Sequence, residues 1–332
     1  MNIYDIAKLT GYSSATVARA LSGHGYCSKK AKADILALAL KMDYNPNSSA
    51  KALRSNRTDR ILFCIPDICN PFYFRIIEGV TKVLEENGYF LMLYPTESSI
   101  EKELKALDLC SRKYCDGIIF ISFDFNATNI TAVRNLKHPV VLGNRYLEQK
   151  EDDNFDYVYV DHILGMEMAT KHLLERGCKN VALVIGDVLL QTSRERSQGY
   201  IKALNDSGLK LDPRYILDGE YTNDGSRRAF GKFMEEKLPV DGVVAANDLS
   251  AYGIMEYCRN HNISIPKDIK LVSFDNTDYA TASNPSLTSI DMCQYELGTA
   301  LASTLIERLK DGRKTVKNIT INPKLIIRDS SK

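Results

Sequence analysis

From Arg60 onward, short β-branched runs alternate with helical stretches, and no other feature restricts the fold as much. The runs read ILFCIP, YFLMLYP, GIIFIS, PVVLG, VALVIG, GVVAAN and KLVSF. Between them lie FRIIEGVTKVLEENG, IEKELKALDLCSRKY, LGMEMATKHLLERG, RSQGYIKALNDSG and DLSAYGIMEYCRNHN. Strands separated by helix-length segments pair in parallel as βαβ units. The pattern recurs in two sets, which predicts two similar α/β lobes. A chain of 332 residues has room for such a body and a smaller domain beside it. No apolar run approaches the ~18–20 residues of a membrane span. Asp5 and Lys8 interrupt the first turns where an export leader has its apolar core. A cytoplasmic protein without a membrane partner is the expectation.

Eight cysteines are present, but none forms a C-x-x-C pair and no histidine pair stands at zinc spacing. The two C-x4-C spacings, Cys64/Cys69 and Cys110/Cys115, read as buried thiols in a reducing compartment. No metal or other cofactor is expected.

Charge is divided unevenly along the chain. Residues 1–57 hold nine Lys/Arg against three Asp/Glu, and the remainder holds 34 against 39. A basic end on a slightly acidic body points toward nucleic acid. Within that end, Asn2 with Asp5 three positions on has the pattern of a reciprocal helix cap. Ile3, Ile6 and Ala7 follow one buried stripe. Gly11 ends this helix, and Ser13 caps the next. On a wheel of about 100° per residue, Val17, Ala20 and Leu21 share one side of the second helix. Ser14, Ala15, Ala18, Arg19 and Ser22 share the other. That outward face lacks the long Glu and Lys chains of a solvated helix. Small side chains allow close approach, and a hydroxyl with an arginine can meet base edges or phosphates in a major groove. A third helix follows from Lys29 to about Met42, capped by Ser28, with Ile35, Leu38, Ala39 and Met42 as its stripe. Tyr44-Asn45-Pro46 ends it.

Ligands of parallel α/β sheets bind beyond the carboxyl ends of the strands. Those ends carry Phe72 and Tyr73 in NPFY, Phe123-Asp124, Asn144-Arg145, Gly186-Asp187 followed by Arg194 and Arg196, Asn247-Asp248, and Asp275-Asn276. Amides and carboxylates hydrogen-bond vicinal hydroxyls, and an aromatic ring covers an apolar sugar face. The set therefore suits a polyhydroxylated ligand. Two readings stand for several members. Asp248 reads as a helix N-cap, and Arg196 is either a ligand contact or half of a structural ion pair.

YDIAKLTGYSSATVARAL followed by YNPNSSAKALRS resembles the head and hinge of the LacI/GalR family of transcription regulators. NPFY, VDHILGMEMATKHLLERG, RERSQGY, ANDLSAYG, VSFDN and PSLTSI resemble the periplasmic-binding-protein-type body of the same family. The resemblance implies an all-α helix-turn-helix head over 1–46, a hinge over 47–58, and a two-lobed α/β body over 59–332. The first lobe is expected over about 59–160 plus 291–322, the second over about 161–290 plus 323–330, with three crossover strands. It implies a homodimer on double-stranded operator DNA, with a sugar or sugar phosphate as effector in the cleft. By position, Ser14, Ala15 and Arg19 face bases, while Tyr4, Ser13, Thr16 and Tyr26 contact phosphates or support the helix. Leu53, with Asn47 and Ala50 in the hinge, matches a minor-groove wedge; an ordinary linker contact is the alternative for Leu53. A hinge this short is marginal as an isolated helix, so it is expected to order only on DNA. Arg196, Asn247 and Asp275 match common effector-binding residues. The chain departs from the family pattern at Ala18 (often Ser), Asn144 (often Asp) and Met292 (often Gln).

No dinucleotide, P-loop, nucleophile-elbow or zincin motif occurs. Five scattered histidines have no evident nucleophile partner. A sugar-modifying α/β enzyme is thus a weaker reading than a regulator, because an enzyme has no need of the basic head. A transport-type binding protein would need an export leader. A regulator answering to a nucleobase or to a phosphoprotein is the remaining alternative. Leu53→Ala is expected to reduce operator bending, read by circular-permutation gel shift; an unaltered bend angle removes the wedge role.

Overall fold

The computed structural model describes residues 2–22, 25–44, 57–146, 150 and 153–332. Asn47, Ala50 and Leu53, and with them most of the expected hinge, lie outside these residues. The chain divides into two compact units, Met1–Thr58 and Asp59–Lys332.

The first unit is built from α1 (Ile3–Thr10), α2 (Ser14–Ser22) and α3 (Lys29–Lys41). The Asn2 side chain accepts the Tyr4 and Asp5 N–H groups, and the Asp5 carboxylate accepts the Asn2 N–H at 2.8 Å. This reciprocal cap satisfies donors that a helix start leaves over. Gly11 stops α1 in the left-handed region, at φ 73°, where a side chain is disfavoured. Ser13 Oγ accepts the Thr16 N–H at 3.2 Å and so starts α2. Ser28 caps α3 through the Ala31 N–H. Ile6, Val17, Ala20, Ala31, Ile35 and Ala39 are buried together, with Ile3, Ala7, Leu21 and Leu38 packed against them. Each apolar stripe read from the sequence therefore meets the others in one small core.

The second unit begins with β1 (Arg60–Ile65), α4 (Phe72–Glu86), β2 (Phe90–Pro95), α5 (Ile100–Ser111) and β3 (Gly117–Phe120). It continues with α6 (Ala127–Asn135), β4 (Val140–Leu142) and β5 (Asp156–Val160). A second set follows: α7 (His162–Glu175), β6 (Val181–Ile185), α8 (Gln191–Asp206), β7 (Ile216–Asp218), α9 (Asn223–Glu235) and β8 (Gly242–Ala245). That set ends with α10 (Asp248–Asn260), β9 (Lys270–Asp275), α11 (Asp278–Ala282) and β10 (Thr288–Asp291). The chain then returns through α12 (Gln294–Lys310) and β11 (Asn318–Ile321), and finishes in β12 (Lys324–Ile326). One six-stranded sheet has the order β2-β1-β3-β4-β5-β11, all parallel. The other has the order β7-β6-β8-β9-β10-β12, parallel except for β12 against β10. The chain passes between lobes at 160–162, 291–294 and 321–324. Both faces of each sheet are covered by helices, which is why β3, β6 and β8 are buried along their whole length.

The architecture is the one expected, with local corrections. β5, β7, β10, β11 and β12 were not legible as strands. β11 alternates exposed and half-buried positions, and buried β10 reads TSID, so neither offers an apolar run. Helices α6, α9, α11 and α12 were also missed. α8 begins at Gln191, five residues earlier than expected, so Arg196 lies on its second turn. Phe72 and Tyr73 open α4 rather than a loop. Asn247, not Asp248, is the N-cap of α10: its Oδ1 accepts the Ser250 N–H at 2.7 Å. Asp248 is instead a buried carboxylate that accepts the Ser273 and Ser289 hydroxyls and the Thr277 N–H and hydroxyl. Six cysteines are buried as expected, whereas Cys69 is exposed and Cys27 is half-buried.

The lobe that contains β1 depends on backbone contact between α4 and α12. A Cβ at Gly298 would collide with the Ile76 carbonyl, and one at Gly79 with the Tyr295 carbonyl. Neither obstacle is a flexible side-chain end, so the helices would have to separate. Gly298→Ala is expected to lower the unfolding free energy by about 1–3 kcal/mol, read by urea denaturation, despite the better helix propensity of alanine. A gain in stability would show that the helices part without cost.

Candidate functional site

Both sheets reverse their strand order between the first strand and its inner neighbour: β1/β3 in one lobe and β6/β8 in the other. Such switch points are where open α/β sheets receive ligands. The carboxyl ends of the two sheets face one cleft. Phe72, Tyr73, Phe123, Asn144, Arg196, Asn247 and Asp275 all line it. Arg145 does not. Its Nε pairs with Glu195 Oε1 at 2.8 Å, and its guanidinium lies 5.0 Å from the Tyr159 ring centroid. The sequence missed Asn70, Ser122, His162, Thr192, Tyr221 and Leu297, which complete the lining with Met292 and a few others. His162 could have been found from the capped start of α7; Thr192 could not, because α8 starts without a side-chain cap. Tyr221 carried no such signal, because it follows the short strand β7.

Arg196 is 6% exposed. Its Nη1 donates to the Ala246 carbonyl at 2.6 Å. Its guanidinium carbon lies 5.6 Å from the Tyr221 ring centroid and 4.9 Å from that of Phe274, within cation–π range of both. Of the two roles open to Arg196, the structural ion pair is absent among the described residues. Asn247 has two duties besides facing the cleft: it caps α10, and its Nδ2 donates to the Tyr221 carbonyl at 3.0 Å. It thereby holds the segment in which Glu220 and Tyr221 both adopt positive φ, 56° and 55°. Tyr221 reaches across the cleft, and its ring lies parallel to Phe123 with centroids 5.7 Å apart. Asn144 Oδ1 accepts the Arg145 N–H at 2.9 Å, and Asn70 Oδ1 accepts the Phe72 N–H at 3.0 Å. Much of the predicted amide set is therefore also structural.

Asp275 is buried at φ 96°, where a non-glycine backbone is strained. Its carbonyl accepts the Gln294 side-chain amide. Burial, with Asp248 nearby, pushes its carboxyl up to about 8, and Arg196 opposes the shift only in part. Burial also holds His162 well below its usual range, helped by Arg196 and Arg145, so it is neutral. Among the described residues, three buried polar atoms on the lining have no hydrogen-bond partner: His162 Nδ1, Thr192 Oγ1 and Arg196 Nε. Buried polar groups in proteins are rarely left so; five further such atoms lie outside the lining, on Asn129, Glu195, Ser250, Thr304 and Arg313.

In the first unit, Ala15 and Arg19 are exposed and Ser14, Thr16 and Ala18 are half-buried. Tyr4 and Tyr26 are strongly exposed. Arg19 folds along its own helix, its Nε donating to the Ala15 carbonyl and its Nη1 to the Tyr26 carbonyl, both at 3.3 Å. Ser13 and Thr16 hydroxyls bond each other at 2.9 Å. A short helix with a small-residue outer face, held by two others, is the geometry of a helix-turn-helix DNA-binding unit.

Two family models match the chain: bacterial regulatory proteins of the lacI family over residues 2–47, and a periplasmic binding protein-like domain over 170–331. The chain therefore carries a lacI-family regulatory domain and a periplasmic binding protein-like domain, and along nearly its whole length it is similar to transcriptional regulators of the lacI type. It is accordingly a DNA-binding transcriptional regulator and not an enzyme. The HTH-type transcriptional regulator DegA of Bacillus subtilis (strain 168) is 29% identical over 329 residues, 99% of this chain and 97% of that protein. The ribose operon repressor of Halalkalibacterium halodurans is 29% identical over 330 residues, 99% and 97% of the two chains. The solved lac repressor dimer, bound to operator and the anti-inducer ONPF, shares the fold with a TM-score of 0.88. It is 19% identical, with 100% of this chain and 99% of that chain covered.

A raised carboxyl makes a stability difference with a definite sign. Folded Asp275 keeps its proton up to about pH 8, whereas the unfolded group loses it near 3.8. The unfolded state thus binds fewer protons between these values, and stability falls as pH rises through that window. Asp275→Asn cannot ionise. The melting temperature of the variant minus that of the native chain is expected to rise between about pH 4 and pH 8, then level off. A difference that is flat with pH would contradict the protonated carboxyl.

Proposed function

We propose that the protein is a homodimeric, cytoplasmic repressor that binds a pseudo-palindromic operator and answers to a small polyhydroxylated effector in the cleft. Each head presents α2 to one half-site. Ser14, Ala15 and Arg19 meet base edges; Tyr4, Ser13, Thr16 and Tyr26 meet phosphates or steady the helix. The hinge carrying Asn47, Ala50 and Leu53 opens the minor groove at the centre. In the body, Phe72, Tyr73, Phe123, Asn144, Arg196, Asn247 and Asp275 hold the effector, and Arg145 acts beside the cleft through Glu195.

The observation that carries this reading is the convergence of polar groups from both sheets on one cleft, with three buried donors or acceptors left unpartnered. A ligand that touches both lobes changes their relative angle. It shifts the operator-competent population only by its differential affinity for the two lobe arrangements. The ribose operon repressor among the relatives supports a carbohydrate-linked role. A gel shift with operator DNA, with and without a sugar panel, tests the proposal. Binding unaltered by every member would remove the effector half. Arg19→Ala is expected to relax preference at one base pair per half-site and to cost roughly 1–3 kcal/mol there. An unchanged operator preference, read by binding to a library of single-base variants, would assign Arg19 a purely structural part.

A further inference from the structure

Among the described residues, Arg196 is the only full-time cation on the cleft wall, and its surroundings leave one edge of it unused. Phe274 and Tyr221 lie within 5.6 Å of the guanidinium carbon. Nη1 is taken by the Ala246 carbonyl. Nε, on the opposite edge, is buried without a partner. Among the described residues no carboxylate forms an ion pair with it. The one acid among the described residues of the wall, Asp275, holds its proton at neutral pH because burial pushes it up to about 8. Thr192, one turn before Arg196 on α8 and 6% exposed, also turns an unpartnered hydroxyl inward. His162, at the start of α7, brings a third unpartnered atom, Nδ1.

A buried cation without a counter-ion is costly unless an anion joins it. The Nε edge of a guanidinium matches the two oxygens of a carboxylate, and charge-assisted bonds of this kind are about twice as strong as neutral ones. The wall carries one net positive charge, which suits a monoanion better than a phosphate dianion.

We propose that the effector is a sugar acid, a polyhydroxylated monocarboxylate whose carboxylate seats on Arg196 Nε, Thr192 Oγ1 and His162 Nδ1. The remaining hydroxyls face Asn144, Asn247 and Asp275. This assignment rests on the reading of the cleft as an effector site and narrows it to one ligand class.

The full-length protein is titrated calorimetrically and by thermal shift with D-glucuronate, D-galacturonate and D-gluconate. The matched neutral compounds are D-glucose, D-galactose and D-glucitol, and D-glucose 6-phosphate forms a third arm. At least one acid is expected to bind about tenfold or more tightly than its neutral partner. Thr192→Val is expected to weaken that acid about tenfold and its neutral partner less than twofold. Equal losses for both would place no carboxylate at Thr192 and overturn the proposal. Preference for a neutral sugar overturns the acid assignment while the effector reading survives. Preference for the phosphate does the same by placing a dianion there. If no compound in any arm shifts the melting temperature, both fall together.

Discussion

One buried guanidinium organises the body of this protein. Arg196 lies on α8 of one lobe, beside the rings of Phe274 and Tyr221. Its bond to the Ala246 carbonyl ties α8 to the end of β8. Tyr221 is held in turn by Asn247 and by the Ser193 hydroxyl, 2.7 Å from the tyrosine oxygen, and stacks on Phe123 of the other lobe. Asn247, Ser193 and the Arg196 guanidinium together thus hold the residue that spans the cleft. The strained backbone of Asp275 sits in the same neighbourhood, consistent with strain concentrating at binding sites.

The lobes meet through more than rings. Arg145 of the first lobe pairs with Glu195 on α8, and Gln191 donates to the Arg145 carbonyl at 2.9 Å. Asp124 faces Arg194 at 3.7 Å, an exposed pair of small energetic weight. These contacts join the two lobes directly beside the cleft. Behind them, α4 and α12 meet backbone to backbone at Gly79 and Gly298. That contact fixes the spacing of the two helices, since no side chain stands between them at these positions.

Much of the site was legible because its residues follow strands whose apolar runs stand out. Phe72, Phe123, Asn144, Asn247 and Asp275 all come within a few residues of such a run. Arg145 was misplaced for the same reason: sequence places it at a strand end, but only the pairing with Glu195 turns it aside. Tyr221 and Thr192 escaped because β7 is three residues long and α8 starts without a side-chain cap. Asp248 looked like a cap because caps and buried carboxylates use the same residue types. Which role it takes depends on Ser273, Ser289 and Thr277, brought together from other elements.

By itself the sequence determined what local rules govern. It specified the capping box of Asn2 and Asp5, the glycine turn at Gly11, the sidedness of α2, and the alternation that demands two parallel sheets. Those follow from periodicity and from the few conformations each residue allows. Tertiary structure alone decided which polar groups share the cleft, which of them are already bonded, and which are left unpartnered. It also decided that Asp275 keeps its proton. Burial and partnership are sums over residues distant in the chain, and no local pattern carries them.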